Sequence, residues 1–386
     1  MSGLDRIVVA GASAAGMTAA DTLRREGFAG TITLVGDESH LPYDRPPLSK
    51  QVLLGTWEPE RTVFRSETAY KELDIDLRLG VTATSLDLGA HSVALSTGES
   101  LAYDGLLIAT GVRPRRLAAG HHLGGVHVLR TLDDTLALRA DLTSASSVVI
   151  VGAGFLGTEA AAAARTLGLN VTLLDPAPTP LSRQFGDELG GWVGDLHREH
   201  GVTLRTGIGV SRLLGDRQVT GVELTDGSTI ETDVVLIAIG SVPSTGWLVS
   251  SGLPLDDGVL CDSTCQSAPG VYAAGDVARV LNPRYGVHVR VEHRTNAAEQ
   301  AGAAARNLLG AATPFDPVPY FWTDQFDAKI QAYGIFPQDA EMTVCQGKPV
   351  ERRFVAQFRR QDRLVGVLGW NMPRELRAAR ALLLEN

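Results

Sequence analysis

Two stretches of the chain repeat one alternation of apolar and polar positions. Residues 6–37 (RIVVAGASAAGMTAADTLRREGFAGTITLVGD) and 147–175 (SVVIVGAGFLGTEAAAAARTLGLNVTLLD) each open on a β-branched run. Each then turns through glycines, continues as an Ala-rich stretch, breaks at glycine and closes on a second apolar run ending in an acid. That succession predicts a βαβ unit, present twice and too widely spaced for a solenoid. Shorter apolar runs at residues 102–112, 233–240 and 271–277 predict further strands. After Pro314 the pattern changes: Phe, Tyr and Trp cluster, and strands replace Ala-rich helices. Residues 351–370 predict a hairpin turning at Gln361-Asp362, and an amphipathic helix starts at about Pro373, a suitable first-turn residue. The expected fold is α/β with two nucleotide-binding domains and a C-terminal α+β domain. We place the first domain at residues 1–112 and 241–312, the second at 113–240 and the third at 313–386.

Composition narrows the class. At 386 residues, two or three domains are expected, and 44% hydrophobic with 20% charged residues excludes disorder as the main state. A net charge of −9 argues against a general nucleic-acid binder, whose affinity rests on neutralising phosphates. No run of eighteen apolar residues is present to span a membrane. The apolar N-terminus lacks a basic leader, with Asp5 preceding Arg6, and reads as a buried strand and its turn instead of a signal peptide. Three cysteines, Cys261, Cys265 and Cys345, are an odd count without a framework; they point to a reducing compartment, and we expect a cytoplasmic protein.

The glycine turns carry the first chemistry. Gly152-Ala153-Gly154-Phe155-Leu156-Gly157 is a full G-x-G-x-x-G loop, and Gly11-Ala12-Ser13-Ala14-Ala15-Gly16 is the same loop with Ser13 at the middle glycine. The first glycine permits the turn, the second lets a pyrophosphate approach the backbone and the third lets helix and strand pack. The pyrophosphate then meets free N–H groups at a helix N-terminus. These are Rossmann-like signatures. Asp175 ends the second strand of its unit, near the expected spacing of about 20 residues after the loop. A carboxylate there accepts from a ribose diol and repels a 2′-phosphate, and Pro176-Ala177-Pro178 bring no arginine. NADH is therefore expected over NADPH, with Arg183 the residue able to upset this. In the first copy Asp37 or Glu38 takes the ribose, Asp37 being preferred. Two cradles suggest two dinucleotides, a held flavin and an exchanging nicotinamide. Asp276, after Ala273-Ala274-Gly275, can hold a ribityl hydroxyl or cap a turn.

The chain also resembles a known family, the FAD-dependent, NADH-using ferredoxin reductases that serve bacterial cytochromes P450 and Rieske oxygenases. The resemblance rests on Pro42-Tyr43-Asp44-Arg45-Pro46-Pro47-Leu48-Ser49-Lys50, Leu107-Ile108-Ala109-Thr110-Gly111 and Leu129-Arg130-Thr131. Ala274-Gly275-Asp276, Glu292-His293 with Asn296-Ala297 and Gln300, and Pro319-Tyr320-Phe321-Trp322-Thr323-Asp324-Gln325 complete it. It implies a glutathione-reductase-like fold. It further implies FAD contacts at Ala15, Asp37, Lys50, Arg130 and Asp276, and backbone contacts at Ala83 and Arg294. Arg294 departs from a frequent aromatic residue. The whole implied FAD set adds Gly11, Ser13, Ala14, Gly16, Arg45, Thr110, Gly111, Gly275, Glu292, His293 and Trp322. The NAD set is Gly152, Gly154, Phe155, Leu156, Gly157, Glu159, Asp175, Arg183 and Gly240. Lys50 beside flavin N5, Glu159 pairing with it and touching the nicotinamide amide, and Trp322 near both rings form the implied catalytic group. Lys50 and Glu159 also read as a solvated lysine and a helix-surface acid, and Trp322 as core.

What the chain lacks also informs. No cysteine precedes Cys261, so no thiol pair stands by the first unit to relay electrons. No zinc or Fe–S ligand set occurs, so no metal is expected and the electron acceptor is external. The expected partner is a [2Fe–2S] ferredoxin and, through it, a cytochrome P450 or Rieske oxygenase, the reductase being a monomer or homodimer. Arg113, Arg115 and Arg116, and Arg284, Arg290 and Arg294, are candidates for steering an acidic ferredoxin. The rival readings are an NADH oxidase or small-molecule reductase using O₂ or an organic acceptor, and a redox-sensing flavoprotein.

Overall fold

The protein is described by a computed structural model that covers residues 3–384, so Met1 and Ser2 of the expected N-terminal strand segment lie outside the described residues. Its contacts divide the chain into two compact units: residues 1–44, 60–113 and 242–317, and residues 45–59, 114–241 and 318–386. Chain order alone groups residues 45–59 with the first nucleotide domain and sets the C-terminal region apart; contacts group both with the second.

In the first unit, β1 (Arg6–Ala10), α1 (Ala14–Arg25) and β2 (Thr31–Gly36) form the expected βαβ element. β1 lies parallel to β2 on one side and to the strand Gly105–Ile108 on the other. The sheet extends through Ile75–Leu79 at one edge and Val271–Ala273 and Gln266–Ala268 at the other. Burial on both faces explains the unbroken apolar runs: Ile7, Val9, Ile32, Leu34, Leu106 and Ile108 are all buried. α1 packs against the helix Arg294–Leu308. The small side chains of Ala19, Ala20, Ala301, Ala304 and Ala305 are buried, so the two helix backbones approach closely.

The second unit repeats the plan with β3 (Ser147–Val151), α2 (Phe155–Thr166) and β4 (Asn170–Asp175). Its parallel sheet runs Thr203–Thr206, β4, β3, Val234–Ile237, Val126–His127. Leu53 is fully buried in this core with Leu129, Ile150, Leu173 and Leu236, which is why residues 45–59 belong here. α3 (Asp187–Glu199) precedes the Thr203–Thr206 strand.

The rest of this unit is an antiparallel sheet of β5 (Tyr320–Gln325), β6 (Ala328–Gly334), β7 (Glu341–Lys348), β8 (Arg353–Arg360) and β9 (Arg363–Trp370), in the order β5-β6-β9-β8-β7. β8 and β9 form the expected hairpin. Gln361 and Asp362 both have positive φ, +48° and +64°, the backbone a two-residue hairpin turn needs. α4 (Pro373–Leu384) closes over the sheet with Leu376 and Leu383 buried. The Phe155 ring, at the start of α2, sits 5.3 Å from Phe321 of β5 and 5.8 Å from Phe185, pinning β5 to the nucleotide helix.

Candidate functional site

The first cradle is built by the turn after β1. Gly11 has φ +118°, and a Cβ there would lie 2.1 Å from the Ala109 carbonyl oxygen; a Cβ on Gly16 would lie 1.8 Å from the Gly11 carbonyl oxygen. The turn is thus pressed against the end of the Gly105–Ile108 strand, at the reversal of strand order where such sheets bind nucleotides. Ser13 is the N-cap residue of α1 but makes no side-chain cap, so it leaves the N–H groups of Ala14, Ala15 and Gly16 at the helix start uncapped by its own side chain. By contrast, the helix Leu132–Ser144 seals its own start with a Thr131–Asp134 capping box. The residues present fit a pyrophosphate.

Around this turn, Asp37 is exposed just beyond β2, while the Glu38 carboxylate accepts the Tyr43 hydroxyl. The Thr110 hydroxyl donates to the Ser244 carbonyl at 3.0 Å, and the Gly111 carbonyl accepts the Ser244 N–H at 2.9 Å. The Gly275 N–H is held by Gln300 at 2.7 Å, and half-buried Asp276 follows it. Ala83 is buried. His293 is the N-cap residue of the Arg294–Leu308 helix and makes no side-chain cap. The Arg294 Nε donates to Asp44 and its guanidinium lies 5.2 Å over the Phe64 ring, so its side chain is engaged within its own unit. Arg290 is held by Glu292 and Asp257, and Arg284 by Asp316 at 3.1 Å. The expected basic patch of Arg284, Arg290 and Arg294 is therefore corrected: neighbouring carboxylates neutralise all three. Arg113, Arg115 and Arg116 are exposed.

The second cradle follows the same geometry. Gly152 has φ +106°, with a Cβ that would lie 2.3 Å from the Ala238 carbonyl oxygen; a Cβ on Gly157 would lie 1.8 Å from the Gly152 carbonyl oxygen. Gly154 differs: the nearest atom to its Cβ would be Gln184 Nε2 at 3.9 Å, so packing does not demand glycine there. A pyrophosphate approaching the backbone would demand it. Asp175 accepts the Ala153 N–H at 2.6 Å and the Ala177 N–H at 2.7 Å, strapping the loop to the end of β4. Phe155 and Leu156 form the first turn of α2, which has no side-chain cap. Arg183 is exposed, and Gly240 is exposed with its carbonyl accepting the Arg115 N–H at 2.9 Å.

In this same unit Lys50 Nζ donates to Glu159 Oε2 at 2.6 Å; both are largely removed from solvent, at 15% and 8% side-chain exposure. The Ser49 hydroxyl donates to the same oxygen at 2.7 Å and the Thr323 hydroxyl to Oε1 at 2.8 Å. Glu159 is thus a buried, paired carboxylate, not a solvated one. Arg45 donates to the Arg130 carbonyl at 2.6 Å, and the Arg130 N–H donates to Asp134 at 3.0 Å. Trp322 takes the other side of β5 from Thr323 and stacks 5.9 Å from Tyr320, so it is outside the Glu159 hydrogen-bond group. Of the residues expected at FAD, Arg45, Lys50, Arg130 and Trp322 thus belong to the second unit and the others to the first.

The buried thiols are unsuited to relay electrons: burial pushes Cys261 up to about 12 and also raises Cys265 well above the ordinary thiol value. Among the described residues no group of three metal-ligating side chains stands together, and no helix is long and apolar enough to cross a membrane.

Sequence reasoning assigned no role to Thr323, Gln325, Thr158 or His197. The available signal was β5 itself, where Phe321, Thr323 and Gln325 alternate onto one buried face, two of the three being polar.

Comparison with known proteins places these observations. The description of the pyridine nucleotide-disulphide oxidoreductases matches residues 5–301, and that of a reductase C-terminal domain matches residues 320–386. The chain is 41% identical to the ferredoxin–NAD(+) reductase component of the p-cumate 2,3-dioxygenase system of Pseudomonas putida, over 86% of this chain and 81% of that protein. It is 37% identical to rhodocoxin reductase of Rhodococcus erythropolis, over 98% and 89%. Among solved structures it resembles the covalent putidaredoxin reductase–putidaredoxin complex with TM-score 0.94 and 34% identity, over 99% and 93%.

Proposed function

The chain belongs to the pyridine nucleotide-disulphide oxidoreductase family, and from that premise we propose its work: it is an FAD-dependent oxidoreductase that takes hydride from NADH and passes electrons singly to a [2Fe–2S] ferredoxin serving a cytochrome P450 or Rieske oxygenase. The observation that carries this reading is the pair of cradles of one build in a chain whose buried thiols are silent. A simple dehydrogenase needs one such cradle, and a disulphide reductase needs a reactive thiol.

Bound FAD supplies the conversion of a two-electron donor into two one-electron deliveries. The chain's residues do the rest. The N–H groups at the start of α1 bind the FAD pyrophosphate, Asp37 takes the ribose diol and Asp276 a ribityl hydroxyl. The α2 start binds the NADH pyrophosphate. Asp175 accepts from the adenosine ribose and holds its loop in place, which favours NADH over its 2′-phosphorylated form. Lys50, fixed by Glu159 and largely removed from solvent, contributes a positive charge to the transfer step. The unpaired thiols support a cytoplasmic location.

The test is an anaerobic titration of purified yellow protein with NADH and NADPH, followed by cytochrome c reduction with and without added ferredoxin. NADH should bleach the flavin at lower concentration than NADPH, and cytochrome c reduction should require ferredoxin. A colourless protein that takes up no FAD would overturn the proposal. So would rapid oxygen consumption with no ferredoxin-dependent rate, which is the behaviour of an oxidase.

A further inference from the structure

Behind the Lys50–Glu159 pair runs a second line of buried polar groups. Gln325 Nε2 donates to Thr158 Oγ1 at 2.8 Å and to Thr323 Oγ1 at 3.1 Å, which turns its Oε1 toward His197 Nε2 at 2.9 Å. An amide oxygen only accepts, so the His197 proton is on Nε2. The Thr158 hydroxyl is committed to the backbone carbonyls of its own helix, Gly154 and Phe155, each at 3.0 Å. The Thr323 oxygen accepts from Gln325, so its single proton goes to Glu159 Oε1 at 2.8 Å. Every donor in the line therefore points one way: His197 to Gln325, Gln325 to Thr323, Thr323 to Glu159. Glu159 Oε2 is left to Ser49 and Lys50.

Thr158, His197, Thr323 and Gln325 are all no more than 1% exposed. A buried polar chain is an inefficient source of stability compared with apolar packing of the same shape. What this one does is fix an otherwise rotatable carboxylate. Charged groups facing Glu159 come from one packed segment only among the hydrogen bonds to it: Lys50 from residues 45–59. β5 brings a neutral hydroxyl, and His197 on α3 stands two hydrogen bonds back.

We infer that Thr323 and Gln325, backed by His197, are positioning residues for the transfer step: they hold Glu159 in the rotamer that presents Oε2 to Lys50. The inference rests on the reading of this protein as an NADH-dependent flavin reductase.

Thr323→Val keeps the shape and removes the hydroxyl; Thr323→Ser keeps the hydroxyl. With FAD bound, anaerobic stopped-flow should show the limiting rate of flavin reduction by NADH falling about tenfold in Thr323→Val, with half-saturation by NADH unchanged and Thr323→Ser close to the parent. A second readout needs no turnover. The chain has four lysines, Lys50, Lys71, Lys329 and Lys348, so reductive methylation followed by peptide mass spectrometry resolves each. Lys50 should be modified several-fold faster in Thr323→Val than in the parent or Thr323→Ser, with Lys71 and Lys348 as exposed controls. Gln325→Leu should act in the same direction and stands in if Thr323→Val does not fold. Equal rates and equal Lys50 protection in parent and variants would overturn the inference. So would losses of rate, NADH affinity and thermal stability together that Thr323→Ser does not restore. If the parent flavin is not reduced by NADH, the functional reading fails; unchanged Lys50 protection in the variants refutes the positioning role separately.

Discussion

Replacing Glu159 by glutamine tests how the protein manages a charge it has taken out of water. In the parent, Lys50 and Glu159 meet at 2.6 Å with side-chain exposures of 15% and 8%. Glutamine preserves size but turns an acceptor into a group that is half donor, facing an ammonium that also donates. Breaking one partner of a buried pair costs about 3–5 kcal/mol, because the survivor keeps its charge and loses its compensation. Lys50 retains some solvent and has the Pro46 carbonyl at 3.4 Å, so the loss should sit near the lower end, about 3 kcal/mol. That corresponds to a fall of roughly 6–12 °C in the midpoint of thermal unfolding for a unit of this size. Combining Glu159→Gln with Lys50→Met removes the stranded charge. The double variant should therefore be more stable than the sum of the singles predicts, by about 2 kcal/mol. Urea denaturation of the four proteins, each saturated with the same FAD concentration, measures the cycle. A Glu159→Gln cost under about 0.5 kcal/mol, or a strictly additive double variant, would refute the argument that this pair is buried and mutually dependent.

Other consequences follow from individual residues. Gly154→Ala should leave stability within about 0.5 kcal/mol, since its Cβ meets nothing nearer than Gln184 Nε2 at 3.9 Å, yet raise the KM for NADH; Gly152→Ala, with φ +106° and a carbonyl 2.3 Å from the new Cβ, should cost more than about 2 kcal/mol. Chemical denaturation and NADH kinetics on the two variants separate these outcomes, and equal effects would contradict the geometry. Burial lowers His197 to about 4 from 6.5, so the folded state keeps it neutral where the unfolded chain binds a proton. Stability from this group is complete above pH 6.5 and declines as pH falls toward 4, by up to about 3 kcal/mol. Urea midpoints at pH 7, 5.5 and 4.5 should show this slope, and His197→Phe should make it shallower, leaving the part that His293, also lowered to about 4 by burial, contributes. Asp175→Ala removes two loop hydrogen bonds of 2.6 and 2.7 Å together with the ribose acceptor. It should raise the KM for NADH about tenfold and narrow the ratio of NADH to NADPH efficiency; a raised KM with an unchanged ratio would assign Asp175 to loop support alone.

The two βαβ units, their glycine turns and the β8–β9 hairpin were readable along the chain because each is written by neighbours. A buried parallel strand needs a continuous apolar run, a helix packed on another helix needs alanines, and a two-residue turn needs residues that accept positive φ. The placement of Asp175 at the end of β4 and of Asp37 just beyond β2 was readable for the same reason, each standing at a set distance after a turn. The chemical core was not local. Lys50 and Glu159 are separated by 109 positions and Thr323 and Glu159 by 164, so no periodicity connects them. Arg284, Arg290 and Arg294 looked like an attractive surface in one dimension, but folding brought Asp316, Asp257 and Asp44 beside them and cancelled their charge. Local pattern specifies backbone shape because dihedral preference and strand or helix period act over a few residues. Which donor meets which carboxylate depends on how separate elements pack, and that is set by burial of side chains such as Leu53, Phe155 and Phe321, whose partners lie far away in the chain.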